Sequence, residues 1–140
     1  LSFLGSAGGF VTYDLERNER RAIFSDSSQT NSYVVRLKLL GKNTRLMQSM
    51  FIADRKPGSE VTYNDGRSAA RLYRPDSAHD ITGLSASLNG QYIAVETAPQ
   101  QNSSFDNYPV NGHNVSTRTV LIDQNGTVMR TIDGCDVVWK

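Results

Sequence analysis

The sequence predicts an all-β fold assembled from repeated hairpins. Short runs rich in Val, Ile, Thr, Tyr and Phe recur along the chain, the composition of strands. Asp65-Gly66, Asn89-Gly90 and Asn125-Gly126 stand between such runs, where tight turns are needed. No stretch holds the 3.6-residue apolar period of a long helix.

The elements follow in order. Leu1-Ser-Phe-Leu4 fits an opening strand, and Phe10-Val-Thr-Tyr-Asp-Leu15 fits another after the flexible Gly-Ser-Ala-Gly-Gly at 5–9. Glu16-Arg-Asn-Glu19 is polar and turn-like, and Arg20-Arg-Ala-Ile-Phe24 resumes the extended pattern. A polar loop spans 25–32. Tyr33-Val-Val-Arg-Leu-Lys-Leu39 alternates apolar and polar from Val35, as a half-buried strand does. Arg45-Leu-Met-Gln-Ser-Met-Phe-Ile52 suits strand or helix by pattern; Gly41 and Pro57 bracket it tightly and favour strand. Glu60 to Tyr63 and Ala70 to Tyr73 make a hairpin about Asp65-Gly66. Ile81 to Ala86 and Gln91 to Thr97 make another about Asn89-Gly90. Thr117 to Asp123 and Thr127 to Ile132 make the last, about Asn125-Gly126. Asp133-Gly134 ends it, and a final short strand is expected over Cys135 to Trp139.

Composition limits the function classes. A chain of 140 residues is one ordinary domain with room for a core. A formal charge of +1 gives no electrostatic reason to expect nucleic acid or an anionic membrane. No run approaches the roughly 18 apolar residues of a membrane span, and no signal segment is visible. The chain begins at Leu1 rather than Met, so an excerpt of a longer protein is expected. The single cysteine, Cys135, excludes an intramolecular disulfide and a cysteine-only metal site.

Three hairpins superpose. Val11-Thr-Tyr-Asp-Leu15, Val61-Thr-Tyr-Asn-Asp65 and Val120-Leu-Ile-Asp-Gln124 align, with Tyr13, Tyr63 and Ile122 equivalent and 50 and 59 positions between successive valines. A period of roughly 50 residues built from four strands is the signature of a propeller blade. A sandwich of compositionally similar hairpins is the competing architecture. Asp80-Ile-Thr-Gly-Leu-Ser-Ala-Ser-Leu-Asn-Gly-Gln-Tyr-Ile-Ala-Val95 resembles the repeat of TolB-like (WD40-like) β-propellers, whose blades run through a Ser-Pro-Asp-Gly turn into an apolar strand. Ser87-Leu-Asn-Gly90 occupies that turn without its Pro and Asp. Val120 to Arg130 looks like the outer hairpin of the same blade, and Asp136-Val-Val-Trp139 like the opening strand of the next. The resemblance covers about 60 residues. It implies blade-like units at 1–32, 33–78 and 79–134, with a final strand at 135–140. It also implies a bacterial, periplasmic, cell-envelope or extracellular setting.

Three blades are too few for a closed ring, which takes about four to eight. Either a larger propeller contains this chain or self-association completes it, because unpaired strand edges are sticky unless covered.

Catalytic motifs are weak. His79-Asp80 precedes a strand, where a loop-capping role outweighs acid–base chemistry. No spacing supports zinc, a nucleophile elbow or a phosphate loop at Gly8-Gly9. Asp14, Asp65 and Asp123 recur near equivalent turns, where carboxylates ordinarily accept backbone N–H groups. Cys135 has no histidine beside it in sequence and suits a small core position. Tyr13, Tyr63, Tyr92 and Trp139 suit sheet-face packing. The polar insertion from Pro99 to Ser116 is the best functional candidate, since loops on rigid sheets carry recognition. Phe105, Tyr108 and His113 within it are the expected partner-binding residues.

The expectation is therefore a non-catalytic propeller-like module that binds protein, with no cofactor or metal and a possible second copy as partner. The alternative is a propeller accessory to an enzyme, gating a hydrolase or binding carbohydrate for it.

Overall fold

The computed structural model describes residues 2–4, 10–24, 32–41, 44–53, 56–65, 67–100 and 116–140. Among them the regular structure is all strand, in three antiparallel sheets. The first sheet is β1 (Ser2–Leu4), β2 (Phe10–Asp14) and β3 (Glu19–Phe24). The second is β4 (Ser32–Leu39), β5 (Arg45–Ala53), β6 (Lys56–Asn64) and β7 (Ala69–Tyr73). The third is β8 (His79–Ala86), β9 (Tyr92–Pro99), β10 (Arg118–Asp123) and β11 (Val128–Asp133). Each sheet is a meander in which strands neighbour in chain order.

The 45–52 segment, ambiguous by pattern, is strand. Its explanation is burial on both faces: Leu46, Met47 and Gln48 are successive buried residues. Leu46 faces the third sheet, whereas Met47 packs with Val34 and Leu37 on the opposite side. A strand buried on both faces loses its alternation and reads as a continuous run. Pro57 sits inside β6, but β7 pairs only with Val61 to Asn64, so no ladder bond is lost there.

The core lies between the second and third sheets. Leu46, Val61 and Leu72 meet Ile81, Ala86, Ile93, Val95, Val120 and Ile122, and Tyr63, Tyr73 and Leu84 pack at its margin. Full burial of a side chain such as Leu46, Ile93 or Ile122 stabilises by about 1.5–3 kcal/mol. The edge strand β8 is fastened to the second sheet by polar groups as well. Gln48 Nε2 donates to the Ile81 carbonyl at 2.9 Å, and the Ile81 N–H donates to Ser59 Oγ at 3.0 Å. Arg36 Nη1 donates to Gln48 Oε1 at 2.7 Å. Ile81 stands at a β-bulge, opposite Thr97, with register shifting before Gly83. The bulge turns its main chain to the neighbouring sheet.

The three outer hairpins close on the same device. Asp14 Oδ1 accepts from the N–H groups of Glu16 and Arg17, Asp65 Oδ1 from Arg67 and Ser68, and Asp123 Oδ1 from Asn125 and Thr127. The turn carboxylates are thus structural. Asp65 and Asp123 are held below the usual carboxylate range chiefly by those backbone donors. The Asn-Gly turns are not two-residue type I′ turns, since only Gly90 and Gly126, and neither asparagine, have positive φ. Gly126 (φ 84) also abuts the second sheet: a Cβ there would lie 2.4 Å from the Leu72 carbonyl oxygen.

Two expectations need correction. The first sheet has three strands rather than four among the described residues. No strand forms over 135–140, because that segment has no neighbouring strand among the described residues to hydrogen-bond with.

Candidate functional site

Three chain segments meet at one end of the second and third sheets: the start of β6, the β7–β8 connection, and the base of the insertion between β9 and β10. In the β7–β8 connection Asp76 Oδ1 accepts from the Ala78 N–H at 2.9 Å and lies 2.7 Å from His79 Nδ1. The His79 contact first, then the Ala78 N–H, hold the Asp76 carboxyl below its usual range. Burial, seconded by Asp76, pushes the Tyr73 hydroxyl up. His79 thus engages Asp76, three residues back, rather than its sequence neighbour Asp80. With the Ala78 N–H also on Asp76, the pair locks a turn.

Asp80 instead receives Gln100, whose Nε2 donates to Asp80 Oδ1 at 3.0 Å and to the Pro57 carbonyl at 3.3 Å. The Gln100 N–H donates to the Ala78 carbonyl at 2.7 Å. One glutamine therefore ties the root of the insertion to both sheets. At the other root, Arg118 Nε lies 3.6 Å from Asp133 Oδ1, an exposed pair of small energetic weight. Residues 101–115 lie outside the described residues, and with them Phe105, Tyr108 and His113.

The far face of the third sheet holds a second feature. Thr119, Glu96 and Gly83 form one cross-strand row on β10, β9 and β8. The carboxylate of Glu96 lies directly over Gly83, where a Cβ would come within 2.1 Å of Oε2. Residues 134–139 cross this row. The Gly134 N–H donates to the Thr117 carbonyl at 3.0 Å, Thr119 Oγ1 donates to the Gly134 carbonyl at 2.7 Å, and the Asp136 N–H donates to Glu96 Oε1 at 2.8 Å. Trp139 Nε1 then donates to Ser85 Oγ on β8 at 3.0 Å. The chain so returns from the outer strands to β8, a lateral distance of about 10 Å for two strand spacings. Cys135, within this crossing, is half-buried with its thiol facing Asp136, and is not among the residues of the apolar core.

The aromatic residues divide. Tyr63 borders the core, Trp139 packs over the third sheet, Tyr13 contacts Asn18 in its own turn, and Tyr92 is exposed. Sequence reasoning missed Gln48, a polar residue between Leu46-Met47 and Met50-Phe51, and Ser59, which lies just before the strand expected from Glu60. For Gln48 a polar residue amid an apolar run was the available signal. Gly83, a glycine inside a strand, was the signal for the close approach of Glu96.

Among the described residues no group of three or more His, Cys, Asp or Glu side chains is placed to hold a metal ion. No helix among them is long and apolar enough to cross a membrane. Comparison with protein-family models, curated proteins and solved structures finds no match to this chain.

Proposed function

We propose that this chain is a non-catalytic, propeller-like protein-interaction module of the TolB-like kind, from an exported or envelope-associated bacterial protein. The observation that carries the proposal is the face-to-face stacking of successive four-stranded meanders, β4–β7 on β8–β11, about an apolar core. Blades of a propeller stack in this way, each covering its neighbour. The recurring Asp turns at 14, 65 and 123 support equivalent units, and they spend on turn geometry the carboxylates a catalytic site would need free.

Recognition is assigned to the insertion after Gln100. Its roots are held by Gln100 and by the pairing of β9 with β10, and loops carried on such sheets commonly serve recognition. The test is alanine substitution at these three positions, with cross-linked partners quantified from cells producing the full-length protein. Loss of a partner with an unchanged melting temperature is the expected result. Undiminished cross-linking would remove the insertion as the contact surface.

A further inference from the structure

Asn89-Gly90 and Asn125-Gly126 lie in turns of the third sheet, and the turns hold them differently. Both glycines use their N–H in the turn: Gly90 donates to the Ser87 carbonyl at 2.9 Å and Gly126 to the Asp123 carbonyl at 3.0 Å. Both asparagines are exposed. Their side chains part company. Asn89 Oδ1 accepts from Ser87 Oγ at 2.7 Å and from the Gln91 N–H at 3.1 Å, and its Nδ2 donates to Gln91 Oε1 at 2.9 Å. Asn125 places its main-chain N–H on Asp123 Oδ1, and its amide lies against the same carboxylate. A further pair, Asn111-Gly112, lies outside the described residues.

The two glycines also meet different neighbours. A Cβ at Gly90 would stand at an ordinary contact distance, 3.7 Å, from the flexible Leu40 side chain. One at Gly126 would lie 2.4 Å from the Leu72 carbonyl oxygen and 3.0 Å from Leu72 Cα. The main chain at Gly126 therefore bears directly on the main chain of β7, in the other sheet.

We propose that Asn125 is a modification site: in the folded chain it converts spontaneously to isoaspartate ahead of Asn89, and the conversion loosens the second sheet from the third. The Gly126 nitrogen, unhindered by a Cβ on its own residue, attacks Asn125 Cγ and gives its proton to water. The Cγ–Nδ2 bond breaks, and Nδ2 leaves as ammonia from the succinimide ring so formed. Water then adds to the Asn125 main-chain carbonyl and splits its bond to the Gly126 nitrogen. The chain now runs on through Cγ, and the former main-chain carbonyl is a free carboxylate. Water addition at Cγ instead yields aspartate. Isoaspartate lengthens the main chain at a point pressed against Leu72, where close packing leaves little room to adjust. It also sets a new carboxylate beside Asp123, whose oxygen holds the 125 and 127 N–H groups.

The test is the 140-residue chain aged in mildly alkaline buffer and mapped by peptide mass spectrometry, with fragmentation that tells isoaspartate from aspartate. Isoaspartate at 125 should accumulate at least about fivefold faster than at 89, because Asn89 must first surrender three hydrogen bonds. In urea, where neither turn persists, the two positions should convert at similar rates. Equal rates in the folded chain would overturn the assignment, as would an Asn125 that survives folded after the unfolded chain has converted. The structural consequence is read in an Asn111→Gln background, which silences the Asn-Gly pair of the insertion. Aged protein should melt at least about 3 °C below fresh protein. Protein carrying Asn125→Gln as well should keep its melting temperature on ageing. A converted chain that melts with the fresh one would overturn the loosening of the sheets. Mapping is done on the wild-type chain, so it decides the site even where a variant folds poorly.

Discussion

Gln48→Leu is the most direct probe of how the second and third sheets are joined. Gln48 is 1 % exposed, and its amide bridges Arg36 and the main chain of Ile81. Leucine keeps most of the volume, so the change removes hydrogen bonds without opening a large cavity. The Ile81 carbonyl loses its side-chain donor in a buried setting, which costs about 1–3 kcal/mol. Arg36 is exposed and rehydrates, adding about 0.5–1 kcal/mol. A total near 2–3 kcal/mol is expected, a fall in melting temperature of about 6–10 °C for a chain of this size. Ser59→Ala removes the acceptor of the Ile81 N–H and should cost about 1–2 kcal/mol. Both act on one residue, so the double variant should lose less than the sum. Urea unfolding followed by Trp139 fluorescence and by circular dichroism measures these values. A Gln48→Leu protein within about 0.5 kcal/mol of wild type would show that the amide clamp is not a source of stability.

Other outcomes follow from single residues. Gly126→Ala forces a Cβ against the Leu72 carbonyl at a positive φ and should destabilise by about 2–3 kcal/mol in the same denaturation assay. Gly83→Ala displaces the Glu96 carboxylate and with it the Asp136 N–H; the emission of the sole tryptophan should shift red as the 134–139 crossing loosens. Glu96→Gln keeps a carbonyl acceptor and should leave that emission unchanged. Folded-state lowering of the Asp65, Asp76 and Asp123 carboxyls gives stability that is present above their ordinary value of 3.8 and lost as pH falls through the lowered values. Melting temperatures measured on acidification should therefore drop below that pH, and less steeply in an Asp65→Asn, Asp123→Asn variant.

The strands were legible because turn residues mark their ends: Gly41, Asn89-Gly90 and Asn125-Gly126 all fall between elements. Turn chemistry was less so. The Asn-Gly pairs suggest two-residue turns, but Asp123 captures two N–H groups and lengthens its loop to 123–127. The strand count at 135–140 was not legible, since alternation reports which side chains are covered and says nothing about who pairs with the main chain. The same limit hid the His79 contact: adjacency pointed to Asp80, and the preceding turn delivered Asp76 instead. The inter-sheet clamp was hidden for a different reason. Gln48 and Ser59 acquire meaning only from Ile81, which lies 33 and 22 residues away in sequence.

The second and third sheets touch at separated places besides their core. Ile81 of β8 is seized by Gln48 and Ser59, Gln100 reaches the Pro57 carbonyl, and the Gly126 turn rests on Leu72 of β7. A panel fixed along one margin can swing; one fixed along both cannot. The dihedral angle between these sheets is thereby set by local chemistry within the chain, independent of whatever lies on either side. Any array built by repeating this junction would inherit that angle as its step of rotation.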